Sequence, residues 1–145
     1  MREILFRAKT SDEVRGFNSA PNGTWVYGFY VDKVGLPVIY QFEQSRADYV
    51  EYEVDRETVG QFTGLTDKNG KQIFEGDIVK INGWWNAAGW AGYTENLTVV
   101  EFNESLCGFT PMCIYDCDCG VYHEARDTEV IGNIYDNPEL LVGAK

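Results

Sequence analysis

Apolar and polar positions alternate in period two along much of this chain, the spacing of strands that turn one face to a core. Thr24 to Val31 sets Trp25, Tyr27 and Phe29 on one face and Val26, Gly28 and Tyr30 on the other, while Val50, Tyr52 and Val54 share a face opposite Glu51 and Glu53. Ile4 to Ala8, Leu97 to Phe102, Gly108-Phe109 with Met112 to Tyr115, and Glu129 to Tyr135 read as further strands. Val34 to Phe42 is another, but Pro37 removes a backbone donor and predicts an edge or bulged strand. Asp55 is placed to cap a short helical turn with Glu57 and Thr58 in it, and Asn137-Pro138-Glu139-Leu140-Leu141 predicts a short C-terminal helix with proline at its first position. Long loops are expected over Ser11 to Gly23 and Trp84 to Asn96.

Between Gln61 and Ile81 the turn chemistry is dense. Asp67 to Gly70 contains Asn-Gly, whose tolerance of positive φ is the strongest short-range hairpin signal. Glu75-Gly76-Asp77 is a second turn that feeds the apolar strand Ile78 to Ile81. Each of these residues has a structural task, and none has an evident chemical one.

The same run carries a resemblance. Asp55-Arg56-Glu57-Thr58-Val59, then Gly60-Gln61-Phe62-Thr63-Gly64-Leu65, Asp67-Lys68-Asn69-Gly70-Lys71 and Ile73-Phe74-Glu75-Gly76-Asp77-Ile78-Val79 resemble the signature of the YopX family of phage and prophage proteins. The opening Met1 to Ala8, Trp25 to Phe29 and Glu129 to Leu141 are similar to that family's start, second strand and end, whereas Trp84 to Glu124 matches no pattern of it. The resemblance implies a fold similar to small SH3-type barrels and brings no catalytic residues, metal motif or settled activity with it. The architecture expected is therefore mainly β: a small SH3-like barrel with an additional β/loop region and a short C-terminal helix. It forms one YopX-like domain over residues 1–145, with a subdomain around 82–128 as an option.

Composition agrees with a folded β protein. The 145 residues are 44% hydrophobic and 14% aromatic, with 15 glycines against 4 prolines, which suits short strands joined by tight turns. Charges interrupt the apolar residues of Met1 to Arg7, and no run is long enough to cross a bilayer, so the expected location is the cytoplasm, on the family resemblance that of a bacterial host cell. Reduced cysteines follow from that compartment. The net charge is −11. Up to Ile81 there are ten Lys/Arg against thirteen Asp/Glu, and from Asn82 onward two against ten, so most of the acidity belongs to the C-terminal part. Such a field disfavours non-specific nucleic-acid binding. It keeps a small protein soluble, or else presents an acidic face that imitates nucleic acid or docks on a basic partner.

Three groups of residues are candidates for chemistry or binding. Cys107, Cys113, Cys117, Cys119 and His123 lie close in sequence, but Cys117-Asp118-Cys119 lacks the two-to-four spacing of a zinc knuckle, and ordinary thiols are the simpler expectation. His123 is the only histidine, so a triad would have to use it with Cys117 or Cys119 and Glu124 or Asp127, and nothing in the spacing fixes that geometry. Trp84, Trp85, Trp90 and Tyr93 sit among glycine, alanine and asparagine residues too small to cover them, so they fold back as a lid or anchor a partner. The function expected is a non-enzymatic accessory protein without a cofactor. It acts through a protein partner or self-association as a homo-oligomer, with those four aromatics as contact residues. The alternatives are a nucleic-acid-binding module using Arg2, Arg7, Lys68, Lys71 and Lys80, and a zinc-binding protein.

Overall fold

The computed structural model describes residues 3–11, 20–87, 90–105, 107–110 and 128–142, and of 82–87 and 90–96 it describes the backbone. The chain is mainly β and divides into two compact units, Met1–Phe62 and Thr63–Lys145.

In the N-terminal unit β1 (Phe6–Lys9), β2 (Trp25–Lys33), β3 (Leu36–Glu43), β4 (Asp48–Glu53) and the start of β5 (Gly60–Thr66) form an antiparallel sheet of order β4-β3-β2-β1-β5. Its core is Ala8, Val26, Ile39 and Val54, with Phe6, Tyr30, Tyr52 and Val59 packed around it. The face assignments expected for β2 and β4 from alternation are the observed ones: Val26 is buried while Tyr27 and Phe29 are exposed, and Val50 and Val54 are buried. Pro37 lies opposite Asp32 in a regular pairing of β2 and β3, and its carbonyl accepts from Val54 N–H at 3.0 Å. Asp55 caps the expected turn, a 3-10 helix over Arg56–Thr58, by accepting from Glu57 N–H at 3.0 Å.

Two local devices shape this sheet. At Gly28 the strand β2 changes partner: Trp25 to Gly28 pair with β1, and Phe29 to Lys33 pair with β3. A Cβ at position 28 would lie 1.9 Å from the Tyr40 carbonyl oxygen, so only glycine permits the approach. Between β2 and β3 the two-residue turn Val34-Gly35 has φ of 52° and 89°, the left-handed pair of a type I′ hairpin. A β-branched residue is strained there. The turn is braced by Asp32, whose carboxylate accepts from Gly35 N–H at 2.7 Å and from Arg56 at 2.6 Å, while Arg56 also donates to the Gly35 carbonyl at 3.0 Å.

The C-terminal unit begins within β5, which forms a hairpin with β6 (Gln72–Phe74). β7 (Asp77–Ala87) pairs with β8 (Trp90–Val99) on one side and β11 (Thr128–Asn133) on the other, and β9 (Glu101–Asn103) pairs with β10 (Gly108–Thr110). Ile73, Val79, Ile81, Val100, Phe109 and Val130 make the core. The short C-terminal helix α1 (Glu139–Val142) follows Pro138 as expected. Among the described residues the sheets are open, and none has its first and last strands paired as barrel closure requires. Among the same residues no helix is long and apolar enough to cross a membrane.

The loop expected over Trp84 to Asn96 is instead the distal part of the β7–β8 hairpin. Its glycines, alanines and asparagines suggest a loop, yet the ladder begun at Ile78 and Val99 continues through them to Ala87 and Trp90, helped by the strand preference of Trp, Tyr and Thr. The expected strand Met112 to Tyr115 lies outside the described residues, as do residues 88–89, 106 and 111–127 of the optional subdomain around 82–128.

Candidate functional site

The central motif is structural in detail. Asp67 is buried, 5% exposed, and one carboxylate oxygen accepts from Asn69 N–H and Lys71 N–H at 2.8 and 2.9 Å, closing the hairpin turn that Gly70 completes with φ of 80°. Its other oxygen accepts from Val130 N–H at 2.9 Å and so ties the turn to β11. Burial pushes the Asp67 carboxyl up, but the N–H groups of Val130, Lys71 and Asn69 together outweigh it and hold the group below its ordinary value. Asp77, 1% exposed, accepts from Phe74 N–H at 2.8 Å, and Gly76 N–H donates to the Val100 carbonyl at 2.9 Å. These carboxylates hold backbone in place, so they are poor candidates for acid–base chemistry.

The described surface holds one feature of another kind. Around the point where β2 exchanges β1 for β3, a groove of about 690 Å³ is lined by Tyr27, Phe29, Tyr40, Gln41, Phe42 and Tyr49, together with Glu3, Ile4 and Leu5. The register sets Phe29 opposite Tyr40 and Phe42 opposite Tyr49, and residues opposite one another share a face of the sheet. The ring centroids of Phe29 and Tyr49 are 5.7 Å apart, and those of Phe42 and Tyr49 are 5.3 Å apart. These are ordinary distances for paired aromatics, but the three rings stay 54%, 51% and 49% exposed. Within the lining, Gln41 Oε1 accepts from Tyr27 N–H at 2.9 Å in place of a backbone carbonyl.

Lys33 pairs with Glu51 and lies 5.3 Å from the Tyr40 ring, and Tyr40 Oη donates to Glu51 at 2.6 Å. The Lys33 ammonium, with the Tyr40 hydroxyl second, holds the Glu51 carboxyl below its ordinary value. On β1 and β2, Arg7 and Lys9 stand 4.8 and 5.4 Å from the Trp25 ring centroid, within cation–π range.

The residues singled out from sequence are distributed as follows. The β7–β8 register places Trp84 opposite Tyr93, Trp85 opposite Gly92 and Trp90 opposite Ala87, and the structure describes their backbone. Cys107 is exposed, while Cys113, Cys117, Cys119 and His123 lie outside the described residues. Among the described residues no group of three or more His, Cys, Asp and Glu is arranged to hold a metal. Of the basic residues, Arg7 is buried beside Trp25 and Lys68 is paired with Glu129 at 2.7 Å; Arg2 lies outside the described residues.

Sequence reasoning missed the groove. Alternation placed Tyr27 and Phe29 on one face, but their union with Phe42 and Tyr49 depends on a register between three strands. The one local signal was the run of large aromatics on the face opposite Val26 and Val50, more apolar than a solvated face needs.

Residues 22–142 match the family model described as YopX protein. No curated protein matches the chain.

Proposed function

We propose, on the premise that this chain belongs to the YopX family, that it is a non-enzymatic phage or prophage accessory protein that binds a protein partner through the aromatic groove of its N-terminal unit. It works in the cytoplasm of the bacterial host. The observation that supports this is the contiguous exposure of Phe29, Phe42 and Tyr49 around a formed groove. Solvated aromatic patches of this kind are unfavourable unless something covers them, and aromatic anchors dominate binding energy at protein interfaces. The lowered carboxyls Asp67 and Glu51 are explained by a turn and an ion pair, which weakens the case for a catalytic centre in the described part of the chain. Nucleic acid is a poorer partner, because the chain carries −11 and two of the basic residues proposed for it face Trp25 and Glu129.

A photo-crosslinking residue placed at position 42 tests this in cells carrying the parent phage or prophage, with position 65, exposed in the other unit, as control. Crosslinking to a discrete protein from 42 and not from 65 is the expected result. Equal yields from both positions, or none from 42, would refute the assignment. Native mass of the same sample decides whether the captured partner is a second copy.

A further inference from the structure

The ladder of the N-terminal sheet is open along the second half of β2. Just before this strand the Thr24 carbonyl accepts from Thr10 N–H at 2.9 Å, on the side of β1, whereas Tyr27 N–H turns to Gln41 on β3. Main-chain groups alternate sides along a strand, so even-numbered residues of β2 face the side of β1 and odd-numbered ones the side of β3. From Phe29 to Lys33 the odd residues meet β3 at Tyr40, Val38 and Leu36. Tyr30 and Asp32 therefore turn their N–H and C=O groups the other way, where β1 has already ended. Its pairing stops at Phe6 opposite Gly28, and the Leu5 carbonyl is taken by Phe62 N–H at 2.8 Å. Among the described residues nothing pairs with these main-chain groups of Tyr30 and Asp32.

Open edges are usually blunted by a proline, a bulge or an uncompensated charge. Phe29–Lys33 contains no proline and pairs with β3 in unbroken register, while Asp32 is neutralised by Arg56 and Lys33 by Glu51. Phe29 and Val31, 54% and 40% exposed, share one face of the edge, and Phe29 also lines the groove. A residue opposite Phe29 on an added strand shares that face, so its side chain is directed into the groove. The edge is too short for a folded copy of the chain. Five residues at about 3.3 Å each span about 17 Å, and a strip about 10 Å wide then offers roughly 350 Å² over both faces, against about 800 Å² from each partner in a stable interface. Two copies, each of net charge −11, also repel.

We propose that this edge takes one extended segment of a partner protein as an added strand, bonded to the main chain of Tyr30 and Asp32, with apolar side chains at alternate positions and one of them in the aromatic groove. This rests on the protein-binding function proposed above and names its binding mode: the ladder supplies affinity, and the groove selects the side chain.

The test uses the full-length, 15N-labelled protein and synthetic nonapeptides that alternate isoleucine or phenylalanine with threonine, with their two sets of alternate amides N-methylated in turn. In the free protein the Tyr30 and Asp32 amides exchange with solvent about tenfold or more faster than those of Val31 and Lys33, which β3 protects. Peptide slows Tyr30 and Asp32 and shifts Phe29. Methylating one set of peptide amides weakens binding about tenfold or more, and methylating the other leaves it unchanged. Asp32→Pro, which removes an outward N–H, weakens binding likewise, whereas Asp32→Ala, which loses the same pair with Arg56 and so controls for the fold, does not. Affinity indifferent to which amides are methylated overturns the added strand while the protein-binding function survives. Tyr30 and Asp32 amides as slow to exchange as their neighbours, or no binding by any of the peptides, overturn it as well, and the crosslink from position 42 alone then decides the broader function.

Discussion

Asp67→Ala is the substitution that most directly probes how the central motif holds the C-terminal unit together. It removes the acceptor of Asn69, Lys71 and Val130 N–H at once. The Val130 group is buried and has no route to water, so its loss costs about 1–3 kcal/mol, whereas the two turn groups are part-buried and lose about 0.5–1 kcal/mol each. The total is about 3 kcal/mol. With a urea dependence near 2 kcal/mol per molar, the unfolding midpoint should fall by about 1.5 M, followed by tryptophan fluorescence at pH 7. Asp67→Asn keeps one acceptor and should lose about half as much. The pH dependence fixes the sign. The folded-state carboxyl titrates below its unfolded value near 3.8, so its contribution is complete above that value and disappears as pH falls through the lower folded value. The gap between wild type and Asp67→Ala should therefore be constant from pH 7 to about 5 and narrow in stronger acid. A midpoint shift under about 0.3 M, or a gap that widens on acidification, would refute the account of Asp67 as a charged acceptor.

Other perturbations test the N-terminal unit. Gly28→Ala drives a Cβ into the Tyr40 carbonyl and should destabilise by about 3 kcal/mol or more, since backbone on both sides must move; a melting temperature within a degree of wild type would contradict the geometry. Val34→Asn relieves a β-branched residue at φ of 52° and should raise stability by about 0.5–1 kcal/mol in a urea titration, and a loss would show that the strain is misjudged. Thr58→Val removes a hydroxyl that donates to the Asp55 carbonyl and accepts from Lys9 N–H, and about 1–2 kcal/mol should be lost by the same measure; no change would mean the bonds are dispensable.

What could be read from sequence was what short-range chemistry decides. The Asp67 to Gly70 turn, the Asp55 cap and the Pro138 entry to the last helix each depend on a few neighbouring residues, and all appear where expected. The buried faces of β2 and β4 were legible for the same reason, since period two is a local property. That Asp67 also reaches Val130 was not legible, because the partner lies 63 residues away and any buried N–H could have served. The groove was hidden by two non-local facts. Gly28 permits β2 to exchange β1 for β3, and the Val34-Gly35 turn that sets the register begins with a residue that sequence preference argues against. In β7 and β8 the error ran the other way, where small residues suggested a loop in a hairpin that a long ladder had already committed.

The tie between Asp67 and Val130 also bears on the order of events in folding. β7 and β8 pair as neighbours in sequence, but β11 reaches β7 only after the chain from Ile81 to Thr128 has looped back, a closure whose entropy delays it. On that reasoning the Asp67–Val130 bond is expected to form with the late docking, after the barrier crossing. Its removal should therefore leave the refolding rate nearly unchanged and speed unfolding, so that a single carboxylate sets how long the docked strand stays in place.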